Sequence, residues 1–333
     1  MSFAQERLFN LDGFHTRIAT DVDAHAANLS GWNQQYDQLS SGKFYGKINE
    51  IWMGRLQLFC EFTSHTVRQS CKPWQGSWWF GIPVHNFDLS RIGSYCIGKD
   101  AIAVRPGSAD FELLTPENFE ILGVVVEQRE LIEHAEMTEH VSLSPLCFNA
   151  FLLNTGQNKK AQLQSLFQQI LAEVKECPRL LEHPSSRQTI RSSILQALAE
   201  ACSVQAQPIR PNRTEINHHV LVLRIREYIL EHQDEPVTIS GICRHFFVSR
   251  RTLQNAFHSV TGMNPVAYLR AVRLNQVRRL LRDHNSGVSS VQDAAAQCGF
   301  WHLSQFACDY RKLFGELPSE SLRRRSQFAE RTG

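Results

Sequence analysis

No two of the nine cysteines, at positions 60, 71, 96, 147, 177, 202, 243, 298 and 308, are spaced as C-x-x-C, and their number is odd. Such scatter supports neither a disulfide framework nor a zinc ribbon, and reduced, mostly buried thiols are expected. Long apolar runs are missing too. A typical one, Ile121-Leu122-Gly123-Val124-Val125-Val126, falls far short of the roughly 18 residues that span a bilayer. No membrane segment is expected. Residues 1–10 carry Glu6 and Arg7 among scattered apolar residues, without a basic stretch leading into an apolar one, so a cytoplasmic location is expected. Neither a G-x-S-x-G elbow nor a phosphate-binding glycine loop occurs. No H-x-H with a downstream Glu and His lies on the candidate strands, which leaves a metal-using cupin enzyme poorly supported.

What is present is enough for two or three domains: 333 residues, 42% of them hydrophobic. The net charge of +2 hides an asymmetry, since residues 221–333 hold 16 Lys/Arg against 10 Asp/Glu and the rest holds 19 against 23. A basic segment beside an acidic one suggests a polyanion-binding module attached to a domain with another task.

Between 44 and 126, short runs rich in aromatic and β-branched residues (48–62, 78–84, 101–105, 111–114 and 121–126) alternate with punctuation such as Arg105-Pro106-Gly107-Ser108 and Thr115-Pro116-Glu117-Asn118. An antiparallel sandwich or small barrel follows. Over 159–204 the period becomes helical: Leu163, Leu166, Phe167, Ile170, Leu171 and Val174 form one stripe and Ile190, Ile194, Ala197, Leu198 and Ala201 a second. These two helices either close the sandwich core or supply a face for a homodimer. The fold class expected is α+β, with a β-rich domain over 1–204, a linker over 205–216 and an all-α domain over 217–325.

In the last domain, Thr238 suits the N-cap of a short helix, Phe247-Val248 a tight turn, and Ser249 the cap of a second helix over 250–260. Leu253, Ala256, Phe257 and Val260 fall on one face of that helix, so Arg250, Arg251, Gln254, Asn255 and His258 project from the other. Arginine can pair bidentately with guanine, and glutamine or asparagine with adenine, so such a face fits a DNA major groove. The pattern recurs. After a helix over 265–282 with interleaved Arg270, Arg273, Arg278 and Arg279, residues 290–300 give a second small-residue helix and turn, and 304–315 a second reading helix. There Phe306, Tyr310 and Leu313 or Phe314 mirror the first apolar face, while His302, Ser304, Gln305, Arg311 and Lys312 are the candidate DNA contacts. Two helix-turn-helix units, 238–260 and 290–314, are expected, with double-stranded DNA as partner.

These elements resemble the DNA-binding domain of the AraC/XylS family: Ser249-x-x-x-Leu253-x-x-x-Phe257, Gly262-x-x-Pro265, Arg273-Leu274, Gly299-Phe300 and Tyr310-Arg311-x-x-Phe314-Gly315-x-x-Pro318. The resemblance implies a transcription regulator acting at operator DNA with RNA polymerase, not an enzyme, although an enzyme with an appended DNA-binding domain is the alternative class. Cys308 departs from the arginine frequent at its position, so phosphate contacts by Arg311 and Lys312 would weigh more in the second unit. Residues 31–39 and 42–46, with Gly299 to Leu303 and Asp309 to Ser319, are further similar to regulators of ethanolamine operons. That similarity implies an activator responding to ethanolamine together with adenosylcobalamin; a regulator of another small-molecule pathway is the alternative. Asp23-Ala24-His25 begins like a D-x-H-x-x-G cobalamin loop but has Asn28 where glycine is needed. For a small cationic effector the candidate residues are Trp52, Trp78, Trp79 and Phe80 with Glu61 and Glu112, the aromatics otherwise filling the core.

Overall fold

Side-chain alternation along the first half of the chain builds two stacked sheets. The computed structural model describes residues 12–85, 90–137, 143, 150–203, 207–232 and 238–332, without the side chains of 207 and 326–332. The expectations for residues 1–10 and Cys147, residue 204 of the expected β-rich domain and residues 205–206 of the expected linker lie outside the described residues. In chain order come β1 (Gly13–Ala19), α1 (Val22–Ala26), β2 (Asn33–Gln38), β3 (Gly46–Met53), β4 (Leu56–Thr63), β5 (Val67–Lys72) and β6 (Ser77–Pro83). Next are β7 (Arg91–Ile92), β8 (Tyr95–Cys96), β9 (Ala101–Pro106), β10 (Phe111–Thr115), β11 (Phe119–Glu127), α2 (Gln128–Met137), β12 (Leu152–Asn154), α3 (Gln157–Glu176), α4 (Pro184–Ala201) and β13 (Gln207–Pro208).

One sheet runs β1-β3-β4-β11-β6-β9-β12-β13 and the other β2-β5-β10-β7-β8, with antiparallel pairing throughout. Because successive strand residues face opposite ways, the larger sheet is apolar on both faces. Ile51, Leu58, Phe80, Val104 and Val124 pack with Leu163, Phe167 and Leu198 of α3 and α4, whereas Ile48, Phe59, Trp79, Ala103 and Val125 pack between the sheets with Tyr36, Val67 and Phe111. The two amphipathic helices thus close the core of the β-rich domain, the first of the two roles their stripes allowed.

The run expected over 48–62 is two strands. It folds at Gly54-Arg55 into a hairpin with Met53 opposite Leu56, and Gly54 takes φ 64°, which only glycine accepts readily. β1, β2 and β5 were not legible as strands. Their buried positions include Asp37, Gln38 and Arg68, polar groups with partners distant in sequence. Of the eight described cysteines Cys71, Cys202 and Cys298 are buried and Cys177 and Cys308 exposed, so burial of the thiols is only partial.

The helical domain begins earlier than expected. α5 (Arg213–Glu231) starts inside the expected linker, where Asn212 and Glu215 form a reciprocal capping box, and Gln207–Pro208 pairs with β12 as a sheet edge. After α5 come α6 (Ile239–His245), α7 (Arg250–Thr261), α8 (Pro265–Arg282), α9 (Val291–Gln297), α10 (Leu303–Phe314) and α11 (Pro318–Thr332). Val222, Ile225 and Ile229 of α5 share one core with Leu253 and Phe257 of α7, Leu269 and Leu281 of α8, and Phe306 and Tyr310 of α10. The helix over 318–332 was not expected.

Candidate nucleic-acid interface

Local chemistry fixes both helix-turn-helix units, with side-chain caps on α6, α7 and α9. Thr238 caps α6 by accepting from the Gly241 N–H at 3.0 Å, and Ser249 caps α7 by accepting from the Thr252 N–H at 3.0 Å. Between them Phe247 takes φ 53° and is 94% exposed, a costly conformation for an aromatic residue that the tight turn imposes. In the second unit Ser290 caps α9 by accepting from the Asp293 N–H at 3.1 Å, and Gly299, at φ 74°, reverses the chain toward α10. α10 begins at Leu303, one residue before the expected start, with His302 at its N-cap position and no side-chain cap. Gly262 and Gly315 end α7 and α10 in the left-handed region, φ 69° and 68°.

The matching faces emerge from this frame. Leu253, Ala256, Phe257 and Val260 are buried on α7, and Phe306, Tyr310, Leu313 and Phe314 on α10. All ten candidate contacts, Arg250, Arg251, Gln254, Asn255, His258, His302, Ser304, Gln305, Arg311 and Lys312, are exposed. Arg250 reaches back to Ser240 at 2.8 Å and Gln305 to Asp309 at 2.9 Å. Between the units lies a cleft of about 410 Å³ whose walls include Ile239, Val266, Arg270, Arg273, Trp301 and Phe306. Trp301, 61% exposed just before α10, was missed in the sequence. Of its neighbours in the turn, Phe300 packs against the core.

Not all the arginines of α8 face outward. Arg278 is buried beside Glu316, 3.2 Å away, and Arg279 bonds the Tyr36 carbonyl at 2.8 Å and pairs with Asp37. Arg282 pairs with Asp21 at 2.7 Å. Asp37 also receives Arg68 at 2.6 Å, while Glu112 takes both Arg68 at 3.2 Å and Arg226 of α5 at 2.6 Å. Asn275 of α8 accepts from the Gln38 N–H at 2.9 Å and donates to the Gln38 carbonyl at 2.8 Å; Gln38 Nε2 donates to the Leu313 carbonyl at 2.7 Å. The β-rich domain therefore grips α8 and the end of α10 through acids and amides, and leaves the faces of α7 and α10 uncovered. Burial by itself would raise the Asp37 carboxyl, but Arg68 and Arg279 outweigh it and hold it below the ordinary range. The same balance lowers Asp21 through Arg282, and Glu112 through Arg226 and Arg68.

The six effector candidates do not converge on one site. Trp78 and Phe80 point to the helix-side core, Trp79 to the space between the sheets, and Trp52 donates to Glu50 at 2.8 Å. Glu112 is held at the domain junction by Arg68 and Arg226. Glu61, buried between the sheets, stands 3.0 Å from His25 and accepts from the Tyr36 hydroxyl at 2.9 Å. Among the described residues no group of three or more His, Cys, Asp or Glu is placed to hold a metal ion, and no helix is long and apolar enough to cross a membrane.

Comparison with known proteins places the resemblance where the geometry does. Residues 242–324 match the family described as a helix-turn-helix domain. The XylDLEGF operon transcriptional activator 1 of Pseudomonas putida is 36% identical over 102 residues, 31% of this chain and 31% of that protein. The chain thus spans under a third of the length of such curated relatives. Similar solved structures include a probable AraC family transcriptional regulator from Rhodopseudomonas palustris, 38% identical over 32% of this chain and 97% of that one, with TM-score 0.29. The DNA-binding domain of AdpA in complex with a target DNA is 27% identical over 33% of this chain and 94% of that one, also with TM-score 0.29. The C-terminal third of the chain is thus similar to a helix-turn-helix domain and to the matching third of these operon activators.

Proposed function

We propose that the chain is a ligand-responsive transcription regulator that binds operator DNA through α7 and α10 and activates transcription with RNA polymerase. The observation that carries this reading is the repeated unit: two amphipathic helices with buried apolar faces and exposed Arg, Gln, Asn, His and Lys, joined by one helix. The likeness of this region to operon activators supports it. A randomised-duplex selection with the full chain tests it, and recovery of no preferred sequence would contradict it.

For the effector, the similarity of residues 31–39, 42–46, 299–303 and 309–319 to ethanolamine-operon regulators favours ethanolamine with adenosylcobalamin. Glu61, Tyr36 and His25 add a carboxylate, a hydroxyl and an imidazole inside the sandwich, groups that suit an ammonium and a hydroxyl. For cobalamin the match at Asp23 and His25 does not fit: the His25 ring is fully buried against Gly46 and Phe44, and Asp23 faces Arg278 and Arg279. The co-effector therefore rests on the similarity alone. If both bind, each strengthens the other's affinity by the same factor. Calorimetry on the full chain with ethanolamine, with and without adenosylcobalamin, decides; no heat in either case removes this effector and points to another small molecule.

A further inference from the structure

We propose that Asp309 sets the base preference of the second unit by fixing the Gln305 amide for reading adenine, and that Arg270 ties this reader to the helix joining the two units. The inference rests on the DNA-binding reading above.

The outward face of α10 carries Ser304, Gln305, Cys308, Arg311 and Lys312. Only Gln305 offers a planar amide, whose oxygen and N–H match the N6 amino group and N7 of adenine. A free amide swings about its last torsion and presents donor and acceptor in either order. Here Nε2 of Gln305 donates to Oδ1 of Asp309 at 2.9 Å, one turn along the helix. An ionised carboxylate only accepts, so it holds the nitrogen side and turns away the oxygen. One N–H is thereby engaged. The second N–H and the oxygen remain, the pair adenine requires; guanine presents two acceptors at O6 and N7 and leaves the amide oxygen without a donor.

As an isolated pair four residues apart, Gln305 and Asp309 would only lend the helix slight support. The other Asp309 oxygen, however, receives Nη1 of Arg270 from α8 at 3.1 Å, with Asp309 16% and Arg270 48% exposed. The carboxylate is thus anchored from a second helix, and its charge is offset where phosphates would pass. Among the described residues neither Gln254 nor Asn255 of α7 has such a carboxylate partner, so the device belongs to the second unit.

The test is selection from a randomised duplex library with the full chain and with Gln305→Ala, Asp309→Ala, Asp309→Leu and the double variant Gln305→Ala/Asp309→Ala. The wild-type chain is expected to show one adenine preference of roughly tenfold or more in the half-site under α10. Gln305→Ala and both Asp309 variants should lose it, the double variant should lose no more, and the half-site under α7 should keep its preferences. Affinity for unselected duplex at low salt should hold or rise in the Asp309 variants, since a negative charge is gone; Asp309→Leu keeps the side-chain size without an acceptor and decides the matter if the alanine form fails to fold. Retention of the preference in either folded Asp309 variant, no change in Gln305→Ala, or equal loss in both half-sites would overturn the proposal while a wild-type motif still upheld DNA binding. A wild-type chain that selects no motif would overturn both.

Discussion

Asp37 shows what single residues carry in this molecule. Its carboxylate is almost fully buried and holds Arg68 from its own domain and Arg279 from α8. Removing it leaves Arg68 with Glu112 and Arg279 with Asp23 as their remaining counter-charges, so Asp37→Ala should destabilise the full chain by about 3 kcal/mol in chemical denaturation. The acids at this junction also predict a pH dependence. Asp37, Asp21 and Glu112 titrate below their ordinary values of 3.8, 3.8 and 4.5 when folded. Their stabilisation is therefore complete above those values and is lost as pH falls through the lowered ones. Asp23 opposes this trend, because burial outweighs Arg279 and Arg278 and raises its carboxyl. The net expectation is a denaturation midpoint that drops below about pH 4.5, with Asp37→Asn weakening the drop. On the recognition faces, Arg251→Ala or Gln254→Ala should each cost roughly 1–3 kcal/mol on the preferred operator and relax particular base pairs. Selection profiles check this, and uniform weakening across sequences would assign those side chains to phosphates.

The elements differ in how plainly the sequence announces them. α7 and α8 are legible because each closes a local pattern of a Ser or Asn cap, apolar residues three and four apart, and a glycine or turn at the end, and α10, which lacks a side-chain cap, is legible from its apolar period and Gly315. All ten candidate contacts follow from those periods, and all are exposed. β2 and β5 are illegible because Arg68 is paired with Asp37, 31 residues away, and Gln38 with Asn275 of α8, 237 residues away, separations that no local window contains. The effector candidates mislead for a related reason: Trp78 and Trp79 are neighbours in sequence but lie on opposite faces of a sheet apolar on both sides. The Arg270–Asp309–Gln305 link likewise joins two helices and leaves no periodic trace. Element boundaries have energetic consequences of their own. A fragment starting at residue 217 lacks the Asn212–Glu215 capping box and the first turn of α5, so one starting at residue 212 should be more stable by about 1 kcal/mol or more. Thermal melts of the two fragments measure the difference.

At the scale of the whole molecule, the basic C-terminal segment and the acidic remainder meet along α8, where the β-rich domain pairs Asp37 with Arg279 and Asp21 with Arg282, Arg278 being held by Glu316 of the helical domain, and α7 and α10 are left free. α8 has 18 residues. At 1.5 Å per residue it is roughly 27 Å long, so its flanking turns must supply the rest of the ~34 Å that separates successive major grooves. Binding should weaken steeply with salt as counterions return to the phosphates, whatever the sequence. The central claim, that one chain reads DNA with two units, is tested most directly by hydroxyl-radical footprinting of the full chain on a duplex recovered by selection. Two protected segments one helical turn apart on the same face of the duplex are predicted; protection of a single groove, or of none, would contradict the account.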